Sequence, residues 1–124
     1  MGTDDLAGES VLLVEDDVLI RHDLEAALSG YGASVTATGR LDEAMRLADG
    51  AFGHAVLDVK LEDGGVQPVA RRLAERGVPF VFHSSAARCE GLAAAFPDAP
   101  VVPKPALPHK LAAIIAGARP AVRS

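Results

Sequence analysis

The sequence predicts a doubly wound α/β domain on a parallel sheet, and three observations carry that prediction. Five short apolar runs recur along the 124 residues. Segments with helical spacing lie between them, and Gly and Pro fall where one element must stop before the next begins. Parallel strands need crossover connections, and alternating strands and helices supply them with a right-handed crossover.

The runs are Val11 to Val14, Ala33 to Ala37, Ala55 to Leu57, Phe80 to Phe82, and Val101 with Val102. The first, third and fourth are too continuously apolar for a sheet with one wet face. Helical spacing is carried by Ile20, Leu24, Ala27 and Leu28, then by Leu41, Met45 and Leu47, then by Val69 and Leu73. Leu107, Leu111, Ile114 and Ile115 carry the last helix. Gly30 and Gly32 close the first helix, Gly50 and Gly53 the second, and Gly77 with Pro79 the third. Pro68 and Pro108 stand near the starts of the third and fifth helices, where a missing N–H costs little. The fourth helix, Ala86 to Phe96, is the weakest, because Gly91 interrupts it and its Ala-rich face buries little area.

Composition narrows the functional classes. Hydrophobic residues make up 49% of a chain of single-domain length. The 17 acidic and 12 basic side chains give a net charge of -5, which argues against nucleic-acid binding. Cys89 is the single cysteine, so no internal disulfide is expected and a reduced cytoplasm fits. The apolar runs fall far short of the roughly 20 residues of a membrane span. The acidic N-terminus lacks the basic start of a signal peptide, and Leu6 stands where N-myristoylation needs Ser or Thr.

In an open parallel sheet the active crevice lies beyond the carboxyl ends of the strands. Those ends carry Glu15, Asp16 and Asp17, then Asp58, then His83, Ser84 and Ser85, then Lys104. Three carboxylates in one crevice repel one another unless a hard cation joins them. Mg²⁺ suits, because it takes one or two carboxylates, keeps waters and binds phosphate. The competing explanation for Asp16 or Asp17 is capping of the first helix. Asp58 resists that explanation, since it ends a buried run and no helix pattern follows for about ten residues. Lys104 is held between Pro103 and Pro105, and the bond before Pro105 is a candidate for the cis form. The four histidines His22, His54, His83 and His109 match no metal-ligand spacing.

Together these residues resemble the receiver domain of two-component response regulators. Val14-Glu15-Asp16-Asp17 is similar to the family's acidic pocket, Asp58 to its phosphoacceptor, Ser84 to its switch hydroxyl and Lys104-Pro105 to its Lys-Pro pair. The stretches Leu57 to Leu61, Val66 to Ala70 and Pro79 to Phe82 are similar to small stand-alone receivers. The resemblance implies a flavodoxin-like (βα)5 fold with strand order 2-1-3-4-5. It covers a domain at 10–118 between short tails at 1–9 and 119–124, with no output domain.

The resemblance further implies that Asp16, Asp58 and the Lys60 backbone carbonyl ligate Mg²⁺, with Glu15 acting through a water. Asp58 would accept a phosphoryl group from a histidine kinase or a histidine phosphotransfer protein, while Lys104 holds phosphoryl oxygens and Ser84 turns toward the product. The implied protein is a cytoplasmic signalling module rather than a turnover enzyme, a monomer or weak homodimer acting on an unnamed downstream protein, without nucleic acid or membrane. Glu62 stands where the family often has Pro, Val101 where it has an aromatic switch residue, and Ala106 where an aromatic is frequent. Lys60 and Ala86 occupy positions that tune phosphate lifetime in the family.

Three other functions compete. A pseudo-receiver would keep the fold for phosphorylation-independent protein binding, and the altered readout positions allow it. A Mg²⁺-dependent phosphatase with Asp58 as nucleophile wants an acid two residues later, where Lys60 stands. Nucleotide or flavin binding lacks a glycine-rich loop after the first strand.

Overall fold

The computed structural model describes residues 6–84 and 90–120. The main sheet holds β1 (Ser10–Val14), β2 (Ser34–Thr38), β3 (His54–Leu57), β6 (Phe80–His83) and β7 (Val101–Val102). All are parallel, in the order β2-β1-β3-β6-β7. This is the expected 2-1-3-4-5 pattern. The numbering differs because β4 (Lys60–Leu61) and β5 (Gly64–Gly65) form a separate antiparallel hairpin inside the third crossover, a feature absent from the expected element list.

The described residues hold the helices α1 (Val18–Gly30), α2 (Leu41–Leu47), α3 (Gln67–Glu75), α4 (Glu90–Ala95) and α5 (Pro108–Gly117). Pro68 and Pro108 lie in the first turns of α3 and α5, as the sequence suggests. The first residues of the expected fourth helix, with Ser85 and Cys89, fall outside the described residues, and the described part of α4 is six residues long. Among the described residues no helix is long and apolar enough to cross a membrane.

The sheet divides the core into two layers, because successive strand residues point to opposite faces. Val11, Leu13, Val56 and Val81 pack with Leu24 and Leu28 of α1 and Leu111 and Ile115 of α5. Leu12, Leu57, Phe80 and Phe82 pack with Val69 and Leu73 of α3 and with Phe96. Phe80 meets Phe82 and Phe96 edge-on, with centroids at 5.4 and 5.6 Å. The three continuously apolar runs are the central strands β1, β3 and β6, buried on both faces. Ser34–Thr38, with polar residues at alternate positions, is an edge.

In α2 the fully buried residues are Ala44 and, just past its end, Ala48, while Leu41, Met45 and Leu47 are half-buried. Short side chains let this small helix lie close to the sheet. Packing extends ahead of β1 into the segment 1–9 read as a tail. Leu6 is fully buried, and its amide donates to the Tyr31 carbonyl at 3.0 Å. A Cβ on Gly32 would come within 2.8 Å of Ala7 Cα, so this crossing of two chain segments requires glycine.

Candidate functional site

Parallel pairing brings the carboxyl ends of β1, β3 and β7 to one edge, and the loops beyond them line a cleft of about 340 Å³. Its lining includes Glu15, Asp16, Asp17, Asp58, Lys60 and Lys104. Ladder-like bonds continue one residue past the strands and fix their ends. The Asp58 amide donates to Val14 O at 2.7 Å, and the Glu15 amide to Thr38 O at 2.9 Å.

Lys104 is the centre of the charge arrangement. Its Nζ lies 3.0 and 3.1 Å from the two oxygens of Glu15 and 3.4 Å from Asp58 Oδ1. The carboxylates are buried, with side chains 2% and 5% exposed, whereas Lys104 reaches them from a partly open position. The bond between Lys104 and Pro105 is cis. Asp58 Oδ1 accepts from the Val59 amide at 2.9 Å, and the Asp16 amide approaches Oδ2 at 3.5 Å.

The three consecutive acids do different work. Asp17 caps α1: its Oδ1 accepts from the amides of Leu19 and Ile20 at 2.9 and 3.0 Å. Glu15 turns inward and accepts from the Asp17 amide at 3.0 Å. Burial pushes the Glu15 carboxyl up to about 7, against the pull of the Asp17 amide and Lys104 and with reinforcement from Asp58. Asp16 Oδ1 is buried with no hydrogen-bond partner among the described residues.

An orphaned buried carboxylate oxygen next to a second buried carboxylate wants a cation. Among the described residues no three His, Cys, Asp or Glu side chains converge as a ready metal cage. A hard ion that keeps most of its waters needs only one or two carboxylates, so Asp16 and Asp58 fit Mg²⁺.

Ser84 follows β6 directly and is 1% exposed. Ser85 and Ala86 lie outside the described residues. His83, the last residue of β6, is buried with neither ring nitrogen hydrogen-bonded among the described residues, its Nδ1 4.0 Å from Glu15 Oε1. Burial, with help from Lys104, pushes its pKa down. Val101 is half-buried opposite Phe82. Sequence reasoning missed Arg21, whose Nη1 donates to Glu15 O at 2.9 Å. Its only signal was a position one turn into α1.

Beside the cleft, a mostly apolar hollow of about 270 Å³ is lined by Ile20, Leu24, His83, Pro105, Ala106 and Pro108, with Asp23 and Lys104 as its charged members. Leu19 and Leu107, the first near the start of α1 and the second just before α5, are 75% and 56% exposed.

No family model and no curated protein matches the sequence. Solved structures do. A response regulator receiver protein from Sinorhizobium medicae WSM419 is 25% identical, with a TM-score of 0.78 over 87% of this chain and 91% of that one. The non-phosphorylated HemR receiver domain from Leptospira biflexa is 27% identical, with a TM-score of 0.70 over 83% and 87%. The receiver domain of the sensor histidine kinase PA1611 from Pseudomonas aeruginosa PAO1, which holds a magnesium ion in its active site cleft, is 24% identical. Its TM-score is 0.77 over 88% of this chain and 95% of that one. The structural neighbours of the chain are response regulator receiver domains, and its fold is theirs.

Proposed function

We propose that this receiver-fold chain is a cytoplasmic response-regulator receiver that accepts a phosphoryl group on Asp58, with Mg²⁺, from a histidine kinase or a histidine phosphotransfer protein. The observation that carries the reading is Lys104 Nζ at 3.4 Å from the buried Asp58 carboxylate and 3.0 Å from Glu15. A cation is thus aimed at the place where phosphoryl oxygens would gather charge.

A carboxylate oxygen of Asp58 attacks phosphorus in line, a P–O bond forms, the P–N bond to the donor imidazole breaks, and its electron pair returns to the ring. Asp16, Asp58 and the Lys60 carbonyl would hold Mg²⁺, with Glu15 acting through a water. Bound there, the ion supplies neutralisation of the phosphoryl charge. Lys104 exchanges its contact with Asp58 for one with a phosphoryl oxygen. Ser84, buried at the end of β6, donates a hydrogen bond from its hydroxyl to the product, and this turn alters the surface offered to a downstream protein. The hollow along α1 and the start of α5, with Leu19 of α1 and Leu107 just before α5 exposed, suits an apolar patch of the phosphodonor.

Intact-mass measurement after incubation with Mg²⁺ and acetyl phosphate tests the reading. The parent gains one phosphoryl group and Asp58→Ala gains none. A parent that gains nothing, from acetyl phosphate or from phosphorylated histidine kinases, would instead be a phosphorylation-independent pseudo-receiver.

A further inference from the structure

The connection from Asp58 to α3 is folded, and its fold is tied to another element. β4 and β5 pair Lys60 with Gly65 and Leu61 with Gly64. The Leu61 side chain is 2% exposed within the core, and the Val66 amide donates to Val59 O at 2.9 Å. At the tip, Asp63 reaches the start of α2, where the amides of Leu41 and Asp42 donate to its Oδ1 and Oδ2 at 2.6 and 3.2 Å.

That helix has no cap of its own. Arg40 occupies the capping position, but its side chain accepts no backbone amide of the first turn, so an acceptor comes from a residue 22 positions beyond Leu41. The fit is close. Gly64 has φ +148°, and a Cβ on it would lie 2.9 Å from Leu41 Cδ2. Arg40 adds looser pairs to Glu62 at 3.6 Å and to Asp63 at 3.4 Å.

We propose that Asp63 is a positioning residue for the acceptor cleft: by pinning the Lys60–Gly65 hairpin to α2, it fixes the Lys60 backbone and the orientation of Asp58, and thereby sets the affinity for Mg²⁺. The path is short. The hairpin begins at Lys60, whose carbonyl is read above as a ligand, and the preceding amide, Val59 N, donates to Asp58 Oδ1 at 2.9 Å. Groups that orient metal ligands from behind typically govern affinity by about 10- to 100-fold. The inference rests on the reading of Asp58 and Mg²⁺ given above.

The test compares the full chain with Asp63→Ala, Asp63→Asn and a control, Asp49→Asn. The control removes the exposed ion pair between Asp49, just past α2, and Arg72 of α3 without touching the hairpin. In metal-free protein, Asp63→Ala exchanges the amide hydrogens of Leu41, Asp42 and Val66 faster, while the core strands keep their protection. Calorimetric titration with Mg²⁺ gives roughly tenfold weaker binding, and phosphorylation by acetyl phosphate slows at low Mg²⁺ but recovers as Mg²⁺ is raised. Asp63→Asn, which keeps one acceptor oxygen, is intermediate, and Asp49→Asn binds like the parent. If Asp63→Ala fails to fold, the Asp63→Asn titration decides.

Mg²⁺ affinity equal to the parent in a variant whose hairpin amides exchange faster overturns the inference and leaves the acceptor reading standing. A parent that neither binds Mg²⁺ nor gains a phosphoryl group overturns both. A rate deficit that persists at saturating Mg²⁺ also overturns it.

Discussion

At the carboxyl end of the sheet Lys104 meets Glu15 and Asp58 through carboxylates 2% and 5% exposed, whereas near the β4–β5 hairpin Arg40 meets Asp42, Glu62 and Asp63 through side chains 26–62% exposed. Both clusters set one cation against two or three acids. In the cleft, burial dominates: Glu15 is driven up to about 7, and Asp16 keeps an oxygen with no partner among the described residues. At the surface, water and backbone amides dominate. The Leu41 amide holds the Asp63 carboxyl below its ordinary value. The first cluster stores uncompensated negative charge that a divalent ion would relieve. In the second, every acid is already satisfied, and its work is to hold chain segments together.

The sharpest break of this comparison is Lys104→Met. Removing one partner of a buried ion pair leaves the other uncompensated, which typically costs about 3 kcal/mol or more. Glu15 escapes part of this by staying protonated, so the loss of stability, read from urea midpoints, grows between about pH 6 and about pH 8. The phosphorylation rate with acetyl phosphate falls by about 100-fold, as for the loss of one preorganised charge donor. Unchanged midpoints at about pH 8 would place Lys104 in the same class as Arg40.

Next in size is the pH dependence released by Glu15→Gln in the absence of divalent ions. The folded-state value for Glu15, about 7, lies above its ordinary 4.5. Between these values the folded chain keeps a proton that the unfolded chain releases, so stability from this group is full below 4.5 and is lost as pH rises toward 7. His83 works in the opposite sense. Its value is depressed below 6.5, so it adds stability as pH rises toward 6.5. In the parent the two slopes oppose each other. In the variant, stability rises with pH up to the ordinary histidine range and then levels. A variant curve parallel to that of the parent would show that Glu15 is ionised throughout.

Much of this was legible from sequence because burial on both faces writes itself as continuous apolar runs. Val11 to Val14, Ala55 to Leu57 and Phe80 to Phe82 are the central strands. The same logic picked out Asp58 and Lys104, polar residues placed where apolar runs end, and the structure brings them within 3.4 Å. The division of labour among Glu15, Asp16 and Asp17 was open, because capping and cation binding ask for the same residue type at the same place. The hairpin was illegible for a physical reason. Its strands are two residues long, too short for any period, and its two-residue loop is Glu62-Asp63, without the glycine that marks a primed turn. The cap that Asp63 gives Leu41 bridges 22 positions, and no local pattern announces such a bond. Cleft residues are read from where strands end, but the groups that orient them are found only in three dimensions.

The smallest effect separates the two kinds of cluster from the other side. Arg40→Gln removes three exposed pairs at 3.2, 3.6 and 3.4 Å but leaves both amide bonds to Asp63 intact. Exposed pairs gain little over solvation by water, and about 1 M salt shortens the screening length to about 3 Å. The variant therefore shifts the urea midpoint less than Lys104→Met at every pH, and the shift disappears at about 1 M salt. Its hairpin amides exchange as slowly as those of the parent, unlike those of Asp63→Ala. A large, salt-insensitive loss of stability in Arg40→Gln would mean that the hairpin is held by charge rather than by capping, and the contrast between the two clusters would then fail at its surface end.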